Sequence, residues 1–173
     1  MVRWLEFKAV APNLVALEER VRDFDTDFLH ERREQDIHFD FPDGLLLLRQ
    51  LENAPAELVT YQRTEYEGLQ VTEAEVAEVR DIREVSAMLR GRFGVRVEVE
   101  KTRKTFQWRA TRIHLDQVYR LGMFVELSSA VDARDEAATA VELREALVRL
   151  GMEHVTSELR GYAELMLAQD ATA

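Results

Sequence analysis

The sequence predicts an α+β fold: many antiparallel-type strands forming a curved sheet or barrel, flanked by helices. Three observations lead there. Short segments that alternate apolar and polar residues recur along the chain. Turn residues separate them at close intervals. Segments with apolar residues three and four apart are inserted between them and appended at the end.

Residues 3–10 open the series, with Leu5, Phe7 and Ala9 on one face and Trp4, Glu6 and Lys8 on the other. After Pro12-Asn13, the spacing of Leu14, Leu17, Val21 and Phe24 predicts an amphipathic helix. A strand from about Phe28 to Phe41 and another over Leu45–Gln50 flank Phe41-Pro42-Asp43-Gly44, a strong turn signal, and read as a hairpin. Asn53-Ala54-Pro55 breaks the chain before a strand at Leu58–Gln62. Residues 69–79 read as a strand carrying Glu73 and Glu75, with helix as the alternative, and Ile82–Phe93 is a helix closed by Gly94. Strands follow at Val95–Arg103, Phe106–Arg109, Arg112–Val118 and Met123–Ser129. Helices over Asp135–Leu150 and Leu159–Leu167 end the chain.

With 173 residues and no Gly/Ser linker or repeat, one domain over 1–173 is expected. Cysteine is absent, which excludes disulfides and thiolate zinc sites and fits a reducing compartment. Neither a secretory leader nor an apolar run of membrane length is present, so a cytoplasmic protein without membrane contact is expected. A formal net charge of −10 argues against a nucleic-acid polymer as partner, because such binding rests on cationic surface. It leaves room for a small anion in a cationic cleft.

The alternation gathers ionisable groups on one face of several strands: Glu6 with Lys8, Arg49, Lys101 with Arg103, Arg112 with His114 and Asp116, and Glu126. On an open sheet such a face is simply solvated. Inside a closed barrel it points into a lumen, where charges persist only when paired with one another, with water or with a ligand. Lys and Arg suit phosphate oxygens, and carboxylates suit Mg²⁺ or Mn²⁺ bridging to phosphates. The mixed signs therefore point to a metal–polyphosphate complex.

Five motifs in sequence order give these residues a context. Trp4-Leu5-Glu6-Phe7-Lys8 resembles an ExExK signature, and Gln35-Asp36-Ile37-His38-Phe39-Asp40 a Q-x-D-x-Y-F-D strand. Gly44–Arg49 is similar to an L-R-x-R strand, and Val99–Arg103 to V-x-K-x-R. Ile113–Val118 followed by Leu121–Leu127 is the most specific piece, close to hLDxVxxLGxFvExE. Together they resemble the CYTH superfamily, the triphosphate tunnel enzymes, which include class IV adenylyl cyclases, thiamine triphosphatases and inorganic triphosphatases. The tail around Gly161-Tyr162 is similar to the family's closing helix.

The resemblance implies an antiparallel, roughly eight-stranded barrel enclosing a tunnel. It implies Glu6, Asp116 and Glu126 as ligands for Mg²⁺ or Mn²⁺, and Lys8, Arg49, Lys101 and Arg103 as phosphate contacts, with Lys8 also the catalytic candidate. The implied ligand is a nucleoside triphosphate or polyphosphate, and a homodimer is the assembly kept in view. The nearest activity is that of a class IV adenylyl cyclase, converting ATP to cyclic AMP and pyrophosphate. Triphosphate hydrolysis and non-catalytic phosphate binding are the alternatives. Four departures stand against full activity: Trp4 and Ser128 replace acidic metal-ligand positions, and Leu47 and Gln62 replace cationic phosphate positions. An R-x-E-x-E strand maps either to Val71, Glu73 and Glu75 or to Arg63, Glu65 and Glu67. The pattern is that of a weakened or repurposed site.

Other residues have plainer readings. His38 and His114 are expected as hydrogen-bonded structural histidines, Trp4 and Trp108 as packing residues rather than base-stacking ones, and Tyr162 as an anchor for the last helix.

Overall fold

The computed structural model describes residues 1–131 and 135–173. Among these, eight strands close into an antiparallel barrel and four helices flank it. The strands are β1 (Val2–Val10), β2 (Asp27–Phe39), β3 (Leu45–Leu51), β4 (Ala56–Tyr66), β5 (Leu69–Val79), β6 (Val95–Trp108), β7 (Thr111–Val118) and β8 (Gly122–Ala130). Around the barrel they run β1-β5-β4-β3-β2-β6-β7-β8, and β1 closes on β8 with Lys8 opposite Glu126. Closure leaves no free strand edge.

Helix α1 (Leu14–Arg22) follows β1, α2 (Ile82–Phe93) follows β5, and α3 (Glu136–Arg149) and α4 (Tyr162–Ala171) complete the chain. Each of the first three starts on an oxygen-bearing cap. Asn13, Asp81 and Asp135 accept from the backbone N–H of Ala16, Glu84 and Ala138 respectively. At α4 the cap is Gly161, and Glu164 reaches back to accept its N–H.

Residues 69–79 are a strand and not a helix, because they pair with β4 on one side and β1 on the other. The β4–β5 hairpin is longer than expected, since Glu67-Gly68 form a two-residue turn with both φ angles positive. The segments 95–103 and 106–109 are one strand, β6, whose length is set by pairing with the long β2. Trp108 and Thr111 then bracket a second two-residue turn with Arg109 at positive φ. The last helix begins at Tyr162 and not at Leu159.

The alternation of β1 decides the layers. Leu5, Phe7 and Ala9 point outward into a core completed by Ile113, Leu127 and the α3 residues Leu143 and Leu147. Trp108 belongs to this outer core, edge-on to Phe24 at 5.9 Å between ring centroids. Helix α2 covers Ile37, Phe39, Leu46 and Leu48 through Leu89. Helix α4 covers Val118 and Phe124 through Tyr162 and Met166. Among the described residues no helix is long and apolar enough to cross a membrane.

Candidate functional site

The inward faces of the strands enclose a cavity of about 300 Å³. Of the residues singled out from the sequence, Glu6, Lys8, Arg49, Lys101, Arg103 and Glu126 all line it. Asp116 does not. It lies fully buried behind Arg103, whose Nε and Nη2 donate to its two oxygens at 2.7 and 2.6 Å, and Tyr162 Oη donates to Oδ2 at 2.6 Å. Tyr162 thus anchors α4 and also forms part of the tunnel wall.

The register explains the convergence. Glu6 and Lys8 are two residues apart on β1, facing Ser128 and Glu126 on β8. His114 on β7 faces Glu126, and Arg103 on β6 faces Asp116. Asp36 on β2 faces Arg49 on β3. Two corrections follow from the same alternation. Gln62 faces outward on β4, and its neighbour Arg63 is the residue in the lumen, so that position keeps a cation. On β5 the inward residues are Gln70, Thr72, Ala74 and Val76. Glu75 is accordingly exposed, and Glu73 pairs with Arg3 at 3.1 Å.

Most lumen charges are paired within the protein. Arg49 donates to both oxygens of Asp36 at 2.7 and 3.0 Å. Lys101 lies 3.1 Å from both Glu34 and Asp36, and Arg32 donates to Glu34 at 2.9 Å. Arg103 spans Asp116 and Glu126, the latter at 3.1 Å. Burial alone would raise these carboxyls, but the cations win: Lys101, Arg103 and Arg49 hold Glu34 down at about 2, and Asp36 and Glu126 lie lower still. Glu34 and Arg32 escaped the sequence reading. Their signal was present, because both share the face of Asp36 at a spacing of two.

Three groups behave differently. Burial, aided by the nearby Glu126, pushes the Glu6 carboxyl up, while Thr72 Oγ1 donates to it at 2.5 Å. Burial pushes the Lys8 ammonium down. Its Nζ donates to the carbonyl of Arg160 at 3.0 Å and sits 4.7 Å from the Tyr162 ring centroid, with no carboxylate at ion-pair distance among the described residues. Arg63 donates to Glu164 at 2.8 Å through Nη1, while its buried Nε has no hydrogen-bond partner. His38 and His114 are held neutral. Burial brings His38 to about 4, and His114 lies well below 6.5 between Thr105 Oγ1 at 3.0 Å and Ser128 Oγ at 3.3 Å.

The donor set does not fit a divalent ion held by the protein alone. Glu126 is engaged by Arg103, both oxygens of Asp116 are occupied, and the positions of Trp4 and Ser128 offer no carboxylate. Among the described residues no group of three or more His, Asp or Glu side chains is placed to share an ion. Chemically the lumen presents buried cations near a wall of self-paired charge, which suits an anion with several oxygens.

Trp4 lines the cavity, is partly buried and packs against the cluster of Leu47, Val59, Tyr61 and Ala74. Trp108, by contrast, is confined to the outer core.

Comparison with known proteins agrees with this architecture. The CYTH domain family model matches residues 5–162. No protein with a curated description matches the sequence significantly. A protein of Pyrococcus horikoshii OT3 has a similar structure, with a TM-score of 0.79 and 26% identity over 96% of this chain and 99% of its own. A candidate adenylate cyclase from Vibrio parahaemolyticus gives 0.78 and 20%, covering 95% of this chain and 97% of its own. A candidate adenylyl cyclase from Hippeastrum, described as having a dominant triphosphatase activity, gives 0.67 and 16%, covering 99% and 96% respectively.

Proposed function

The chain belongs to the CYTH family, and from that premise we propose that its tunnel binds the phosphate groups of a nucleoside triphosphate or a polyphosphate. The observation that supports this best is Lys8. An ammonium group carries three donors, and here it is buried against the cavity with one protein acceptor and an aromatic ring. A buried cation without a carboxylate is costly unless an anion joins it. Arg63 on β4, with an unpartnered Nε, adds a second cation to the lumen.

In this reading Lys8 and Arg63 make the first phosphate contacts. Arg49, Lys101 and Arg103 already hold carboxylates, so they reach phosphate oxygens by sharing those partners. Mg²⁺ or Mn²⁺ belongs to the phosphate complex that enters the tunnel, with Glu6 and Glu126 the carboxylates that face it. Turnover is a further step. Lys8 is the side chain placed to stabilise charge on a transferring phosphoryl group, whether the outcome is cyclisation, as in a class IV adenylyl cyclase, or hydrolysis. Binding is the conclusion the paired carboxylates favour.

Thermal unfolding with millimolar ATP or tripolyphosphate, with and without Mg²⁺ or Mn²⁺, tests it. A raised melting temperature in wild type, reduced in Lys8→Met, is expected. An unchanged melting temperature with every ligand sinks the reading. Assays for phosphate, pyrophosphate and cyclic AMP then separate hydrolase, cyclase and binder.

A further inference from the structure

Two of the departures noted in the sequence, Trp4 and Leu47, come together in space. They sit on β1 and β3, which are separated in the barrel by β5 and β4. Yet both belong to one apolar cluster, completed by Val59 and Tyr61 from β4 and Ala74 from β5. Val76 extends the same wall, opposite Val59 in the register. Four consecutive strands, β1, β5, β4 and β3, therefore share one apolar and aromatic patch of the tunnel wall, beside the Lys8, Arg49 and Arg63 that the same strands carry into the lumen. Most of the paired charge lies on β2, β6, β7 and β8. Chance loss of two polar ligands would leave isolated gaps; here the replacements join.

The wall is not sealed as a core would be. Trp4 keeps partial exposure, and Tyr61 also lines the cavity. The Arg63 guanidinium lies 5.0 Å from the Tyr61 ring centroid, so the aromatic wall runs directly into a phosphate-binding cation. Apolar surface facing a cavity gains when an apolar group covers it, and two aromatic rings favour a flat partner.

We propose that this wall seats a planar aromatic group of the ligand, so that the tunnel prefers an aromatic organic triphosphate to an inorganic polyphosphate. The proposal rests on the phosphate reading above, with the ring against Trp4 and Tyr61 and the phosphates toward Arg63 and Lys8.

Calorimetric titration of ATP, GTP, CTP, UTP and inorganic tripolyphosphate, at fixed salt and Mg²⁺, tests it in wild type and Trp4→Leu. At least one nucleotide is expected to bind on the order of tenfold tighter than tripolyphosphate, as ring stacking implies. That ratio should shrink toward one in Trp4→Leu. Nucleotide should also change the tryptophan fluorescence of wild type and not that of Trp4→Leu, in which Trp108 alone remains. Tripolyphosphate binding as tightly as every nucleotide overturns the aromatic seat and leaves the phosphate reading standing. A ratio unchanged by Trp4→Leu overturns the assignment of the wall. Binding of none of the five overturns both.

Discussion

The outer and inner faces of the same strands are held by different physics, and β1 shows both within five residues. Leu5 and Phe7 are almost completely buried among apolar side chains from α3, β7 and β8. Glu6 and Lys8, alternating with them, sit among charges and a cavity. The outer face gains from apolar area removed from water. The inner face offsets the cost of desolvating ions by pairing them, a near-balance that adds little net stability. So the fold is carried by the outside of the barrel, and the inside is comparatively free to change its chemistry.

Three measurements test that division, taken from the largest expected effect. Phe7→Ala should cost about 3–5 kcal/mol in chemical denaturation, the loss for a large core aromatic, with little dependence on pH. Arg103→Met should cost about 3 kcal/mol at neutral pH, because Asp116 and Glu126 lose their shared cation. Its deficit should shrink on acidification, as Glu126, held low chiefly by Arg103 in the wild type, takes up a proton. Equal pH dependence in the two variants would break the comparison. The third is acid titration of the wild type. His38 titrates at about 4 in the fold against 6.5 when free, so the unfolded chain binds more protons between those values. Stability should fall by on the order of 2 kcal/mol as pH drops through that window. It should fall again from about 4.5 toward 2, where Glu34 loses its charge. Glu6, pushed up by burial, works in the opposite sense and blunts the loss. A flat profile from pH 7 to 4 would contradict the buried neutral His38.

How much of this the sequence reveals follows the same inside–outside line. The alternation of β1 was legible because its apolar face is unbroken. The tunnel was legible through the spacing-of-two pairs Glu6 with Lys8 and Lys101 with Arg103. Where alternation is weak, placement by pattern fails. Gln62 and Arg63 are both polar, so only the register of β4 against β5 shows which one enters the lumen. Residues 69–79 mix valines with glutamates, and pairing on both sides decides for strand. The burial of Asp116 depends on Tyr162 arriving from α4, a contact between distant segments that no local pattern records. The shared wall of Trp4 and Leu47 is likewise a product of pairing among β1, β5, β4 and β3, since each reads singly as a lost ligand.

The pairing of β1 with β8 has a consequence for how the molecule is made. The first strand finds its partners only in β5 and in the last strand, and β2 waits for β6. Contacts this distant along the chain are slow to form, because the entropy of closing the loop is lost before the pairing is gained. During synthesis β1 leaves the ribosome long before β8 exists. The barrel cannot close, and Lys8 cannot face Glu126, before β8 has been made.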